Sequence, residues 1–157
     1  MDVIVTERKS ATWIRLNRPE RRNAFDPEMA LEIVNAIDGA TASRAVVITG
    51  SSGSFCAGGS LTSLAHPTER EMRYMYEGSL RLFDAIRRCP RPVIAAVNGA
   101  AAGGGNELIV ACDLAIASKS ATFGQTGPRV GSAPVTGATN VMGCLLYTSD
   151  AADDGLS

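Results

Sequence analysis

Apolar and polar residues first alternate along residues 3–7 and 12–16, and Lys9-Ser10 lies between the two runs. This pattern predicts a hairpin of two half-buried strands. Asp26-Pro27 then supplies a capping oxygen followed by a proline suited to a first helical turn. Ala30, Ile33, Val34 and Ile37 follow at helical spacing, and Gly39 ends the run, so a helix is expected between them. The intervening residues 17–23 are polar and proline-broken and read as loop. Residues 44–49 form a short apolar run, the signature of a buried strand. Thr68-x-x-Glu71 is a capping-box pattern that opens a second helix; it carries Met72, Met75, Tyr76, Leu82, Phe83 and Ile86 towards one face and ends before Pro90. Residues 93–97 and 114–117 read as strands, residues 106–110 as the start of a buried helix, and residues 122–128 as a short strand running into a turn. The order β–β–α–β–α–β–α–β argues for an α/β fold with right-handed crossovers.

Two strand exits are rich in glycine, at residues 53–59 and 99–105. They could be successive turns of one repeating β–β–α unit. The second exit carries the candidate chemistry. A strand that turns through Gly103, Gly104 and Gly105 into a helix leaves backbone N–H groups unpaired at the helix start. Such groups suit an anion or a developing oxyanion. Glu107 lies about one turn further on, a carboxylate in an apolar, glycine-packed segment. Burying it there is costly unless it is paired or used. The plainer alternative is that the glycines serve only close helix–strand packing and that Glu107 faces solvent.

Composition narrows the classes. The chain has 157 residues, enough for one core, with 45% hydrophobic and 20% charged residues. A net charge of −1 gives no electrostatic case for nucleic acid or an anionic membrane. No run approaches a membrane helix and the start lacks a signal-peptide core, so a cytoplasmic location is expected. Cys56, Cys89, Cys112 and Cys144 are widely spaced, which argues against a disulfide framework or zinc site, and no metal is expected. The only histidine, His66, reads as surface loop. Neither a G-x-G-x-x-G nor a P-loop pattern occurs where nucleotide binding would need it.

Four stretches in order, residues 11–25 (ATWIRLNRPERRNAF), 46–59 (VVITGSSGSFCAGG), 92–108 (PVIAAVNGAAAGGGNEL) and 111–125 (ACDLAIASKSATFGQ), resemble the crotonase, or enoyl-CoA hydratase/isomerase, family. The resemblance implies a spiral of β–β–α units over residues 1–143. Here the spiral would be incomplete, lacking a C-terminal helical region through which relatives assemble as homotrimers or hexamers. Residues 144–157 are expected to be a non-native tail, because residues 144–154 resemble a translated sequencing adapter.

The resemblance also implies an acyl-coenzyme A thioester as substrate, with coenzyme A present only as part of it and no tightly bound cofactor. By position, the backbone N–H groups of Ala57 and Gly104 would hold the thioester oxygen, flanked by Gly58, Gly59 and Gly103. Arg21, Arg22 and Ala24 match the loop that lies along coenzyme A, and an arginine there can pair with phosphate. Glu107 matches the first of two hydratase glutamates, but Gly127 stands where the pattern carries the second. That argues against simple hydration, which is easiest with two carboxylates acting on one water. The run from Phe123 through Ser132 resembles the naphthoyl-CoA synthase and 6-oxocyclohexene-carbonyl-CoA hydrolase branches. It implies that Gln125, Thr126, Gly127 and Ser132 position a water or a small anion such as bicarbonate. A lyase or hydrolase acting on an acyl-CoA is the leading expectation. A single-glutamate isomerase or hydratase, and a non-catalytic acyl-CoA-binding relative, remain as alternatives.

Overall fold

The computed structural model describes residues 1–60, 67–127 and 133–134. Expectations for His66, Ser132 and the 144–157 tail lie outside the described residues. Strands β1 (Val3–Arg8) and β2 (Ala11–Leu16) form the expected antiparallel hairpin, with Val3 opposite Leu16 and Lys9 at positive φ in the turn. Beyond it, β3 (Ala45–Thr49), β5 (Val93–Val97) and β7 (Leu114–Ala117) join β2 in parallel, giving a five-stranded sheet of order β1-β2-β3-β5-β7.

A second, three-stranded parallel sheet runs β4-β6-β8, from Ser54–Cys56, Ala100–Ala102 and Phe123–Gly124. Phe25 extends its edge through a single parallel bridge to Gly59. The chain thus winds as a spiral. The first turn lays the β1–β2 hairpin in the large sheet and the Phe25 bridge at the small one. Each later turn lays one strand in each sheet, and the first three turns then send a helix back. Those helices are α1 (Pro27–Gly39), α2 (Glu69–Arg88) and α3 (Gly104–Ala111).

The spiral closes around one core. Ile14, Leu16, Val46, Ile48, Val93, Ala95 and Val97 alternate onto one face of the large sheet. They form a cluster with Met29, Ile33 and Ile37 of α1, Leu82, Phe83 and Ile86 of α2, and Phe55 and Leu108. Each fully buried aliphatic side chain of this kind is worth about 1.5–3 kcal/mol over exposure. The helix starts are built as the caps predict. Asp26 Oδ1 accepts from Met29 N at 3.0 Å, and Thr68 and Glu71 exchange both arms of a capping box.

Three details differ from the sequence reading. The polar stretch expected to be irregular holds a short 3-10 turn at Pro19–Arg21, followed by Arg22 and Asn23 at positive φ. β4 and β6 went unanticipated, since three residues are too few to display a period. On α2 only Leu82, Phe83 and Ile86 are buried, while Met72, Met75 and Tyr76 are partly exposed, so the apolar stripe reaches the core only in its C-terminal half.

Candidate functional site

The two glycine-rich exits meet. β4 ends at the fully buried Cys56, and the chain continues through Gly58, at a positive φ of +97°, to Gly59. β6 ends at Ala102, turns at Gly103 (φ +51°) and starts α3 at Gly104. A Cβ on Gly58 would lie 2.8 Å from both Ala102 O and Gly104 N, and one on Gly105 only 2.1 Å from Cys56 O. Real Cβ atoms do not approach backbone so closely. Glycine at 58 and 105 is therefore what lets one exit rest against the start of the helix.

This packing determines which N–H groups face the junction. Phe25 N donates to Gly58 O and Ser60 N donates to Phe25 O, both at 2.9 Å. In a parallel bridge of that form the Gly59 N–H is turned away from Phe25. Its nitrogen lies 3.3 Å from where a Cβ on Gly104 would stand. The Gly104 N–H is at the first position of α3, where the helix provides no acceptor; the helix bonding begins with Glu107 N donating to Gly103 O at 3.0 Å.

Ala57 was the donor expected from position, and the structure corrects this. Its N–H donates to Arg22 O at 3.0 Å and is already committed. Gly59, two residues on and beyond the positive φ of Gly58, has its nitrogen on the Gly104 side instead. The sequence signal that separates the two is the pairing partner of Phe25, which no local pattern contains.

Glu107 is buried, at 3% exposure, in the first turn of α3. Its Oε1 accepts a hydrogen bond from Gln125 Nε2 at 3.0 Å. This bond brings the carboxylate against the start of the 125–127 segment, a contact the sequence reading did not anticipate. Gln125 Oε1 is itself buried and has no hydrogen-bond partner among the described residues. Thr126 sits beside the same turn, with its Oγ1 3.5 Å from where a Cβ on Gly103 would lie, and Gly103 N donates to Gly124 O at 2.8 Å. Gly127 follows, partly buried. No grouping of three or more metal-ligating side chains occurs among the described residues.

The arginine loop borders the first exit. Arg21 and Arg22 are exposed, with neither in an ion pair among the described residues, and Ala24 is buried with its N–H on Arg21 O. The sequence reading passed over the residues that fix this loop. Arg18 is 8% exposed and pairs with Asp2 and, at 2.6 Å, with Asp26. Burial pushes the Asp26 carboxyl upward, but hydrogen bonds from Arg18 and from Met29 N outweigh it and hold the group below the usual aspartate range. Behind the site, burial raises the Cys56 thiol to about 12, so it stays protonated and packs as an apolar group.

No helix among the described residues is long and apolar enough to cross a membrane. A family model described as enoyl-CoA hydratase/isomerase matches residues 6–147. The chain is 44% identical over 130 residues to a Rhodobacter capsulatus protein named "Probable enoyl-CoA hydratase", covering 80% of this chain and 49% of that one. It is 38% identical over 150 residues to the 6-oxocyclohex-1-ene-1-carbonyl-CoA hydrolase of Syntrophus aciditrophicus, covering 90% and 39%. Among solved structures, an enoyl-CoA hydratase from Polaromonas sp. JS666 superposes with a TM-score of 0.85 at 36% identity, covering 89% of this chain and 57% of that one. The chain therefore spans roughly half the length of such relatives. A spiral of paired strands and helices, two glycine-rich exits packed together and a family model that spans most of the sequence lead to one conclusion: the chain belongs to the enoyl-CoA hydratase/isomerase, or crotonase, family.

Proposed function

We propose that the protein processes an acyl-CoA by stabilising a thioester enolate, with the Gly59 and Gly104 N–H groups as the oxyanion hole and Glu107 as the proton-transfer group. The observation that carries this reading is the contact of the Gly58–Gly59 backbone with the start of α3, one turn before a buried carboxylate. Removing a proton from carbon 2 of a thioester sends the electron pair to the carbonyl oxygen. Two preorganised N–H donors stabilise that charge, each by about 3 kcal/mol. The carboxylate of Glu107 accepts the proton, held in place by Gln125 Nε2.

Gln125 favours hydration or hydrolysis over simple isomerisation. Its Nε2 is occupied by Glu107, which leaves Oε1 as an acceptor without a partner among the described residues. An orphaned acceptor suits a molecule with a hydrogen to give. Water meets that need directly, whereas bicarbonate meets it only through its hydroxyl. Gln125 and Thr126 would then hold the water that a second carboxylate holds elsewhere, with Gly127 leaving room for it. Arg21 and Arg22, exposed beside the first exit, would meet the phosphates of coenzyme A. Assembly as a homotrimer or hexamer belongs to the same reading of the full-length protein, and sedimentation tests it.

One experiment tests the core of the proposal. The full-length protein, supplied with crotonyl-CoA and with a cyclic oxo- or dienoyl-CoA, should turn over the cyclic thioester faster. Glu107→Gln should reduce kcat on the preferred substrate about 100-fold or more with little change in KM. Unchanged turnover removes Glu107 from the mechanism. Faster turnover of crotonyl-CoA moves the assignment to a single-glutamate hydratase, and tight acyl-CoA binding without turnover of either moves it to a non-catalytic relative.

A further inference from the structure

We propose that Asn23 is a positioning residue for the oxyanion hole, an inference that rests on reading the Gly59 and Gly104 N–H groups as its donors. Asn23 is fully buried, and its side-chain amide is completely used. Nδ2 donates to Ser51 O at 3.1 Å and to Ser54 O at 2.9 Å, while Oδ1 accepts from Arg18 N and from Ser51 Oγ, each at 3.0 Å. Its own carbonyl accepts from Cys56 Sγ at 3.1 Å. The residue sits at φ +58°, a conformation asparagine tolerates better than most side chains.

The location gives this network its function. The residues flanking Asn23 are those that grip the first exit: Arg22 O takes the Ala57 N–H, and Phe25 holds Gly58 and Ser60. The Asn23 amide bolts that gripping segment to the turn that feeds β4. Ser54 O also accepts from Asn98 Nδ2 at 3.3 Å, and Asn98 Oδ1 accepts from Gly50 N. Asn98 lies at the end of β5, just ahead of the exit that leads to Gly104. One carbonyl thus anchors asparagines from both sides of the junction, and the spacing between Gly59 and Gly104 is set through it. Oxyanion stabilisation depends on donors held to within about half an ångström, so loosening this anchor should weaken the charged state more than ground-state binding.

The test uses the full-length protein and acetoacetyl-CoA, a β-keto thioester whose enolate absorbs in the near-ultraviolet. On binding, its carbon 2 proton passes to Glu107 and the electron pair to the oxygen held by the two N–H groups. Wild type should show the enolate band. Asn23→Gly keeps the left-handed backbone and removes the amide. It should bind acetoacetyl-CoA within about threefold of wild type by calorimetry while its enolate fraction falls about tenfold. Ser51→Ala removes one of the four bonds and should lower the fraction about twofold, which keeps the test available if Asn23→Gly does not fold. A purely structural role predicts a lower melting temperature with the wild-type enolate fraction in the folded protein, and that result overturns the inference. Absence of the band in wild type overturns the oxyanion reading itself and this inference with it.

Discussion

The two glycine-rich exits look alike in sequence and are built differently. The first, at the end of β4, passes through Gly58 at positive φ and offers the N–H of Gly59, with the Phe25 bridge fixing which residue it is. The second, at the end of β6, turns at Gly103 into a helix and offers its N–H because a helix start has no internal acceptors. The helical donor depends on local backbone alone. The strand donor depends on a segment distant in sequence, and so it is the one that a reading by position misplaced.

Alanine substitutions should separate the steric roles at this junction. Of Gly58, Gly59 and Gly105, the largest effect is expected at Gly105, whose added Cβ would meet the Cys56 carbonyl at 2.1 Å. Neither backbone can yield without parting the exits, so Gly105→Ala should cost about 3 kcal/mol or more in a denaturant titration and abolish activity. Gly58→Ala combines a left-handed φ with contacts of 2.8 Å to two backbone atoms. It should lower stability by about 1–3 kcal/mol and turnover by at least tenfold. Gly59→Ala should do least, because nothing lies within 4 Å of its Cβ. Its stability should stay within about 0.5 kcal/mol of wild type and its activity within about threefold. A large stability loss at Gly59, or none at Gly105, would break the account of how the exits pack.

Acid should loosen the loop beside the first exit. Asp26 is held below its ordinary range in the folded state, so its ionised form is favoured by folding. Its contribution is complete above the unfolded value, about 3.9, and is lost as pH falls through the lower folded value. Wild-type stability should therefore decline over that acid window, and Asp26→Asn should be less stable at neutral pH with a flatter acid profile. Equal slopes for the two proteins would show that Arg18 and the α1 cap do not hold the loop as described.

These contrasts also explain what could be read from the sequence. α1 and α2 were legible because Asp26-Pro27 and Thr68-x-x-Glu71 are local signals with one physical meaning. The strands of the large sheet were legible from runs of apolar residues. β4 and β6 were not, since their identity lies in pairing with each other and with β8. Glu107 stood out as a carboxylate among glycines, and its partner Gln125 lay in a stretch already singled out. Asn23 gave no signal, because Ser51 and Ser54, the partners that make it structurally central, lie far along the chain.

The most direct measurement is a crystal structure of the full-length protein with a non-reactive acyl-CoA analogue. The account predicts the thioester oxygen about 3 Å from both Gly59 N and Gly104 N, with Ala57 N still on Arg22 O and Glu107 beside carbon 2. A thioester oxygen held by Ala57 N, or lying away from the start of α3, would contradict it.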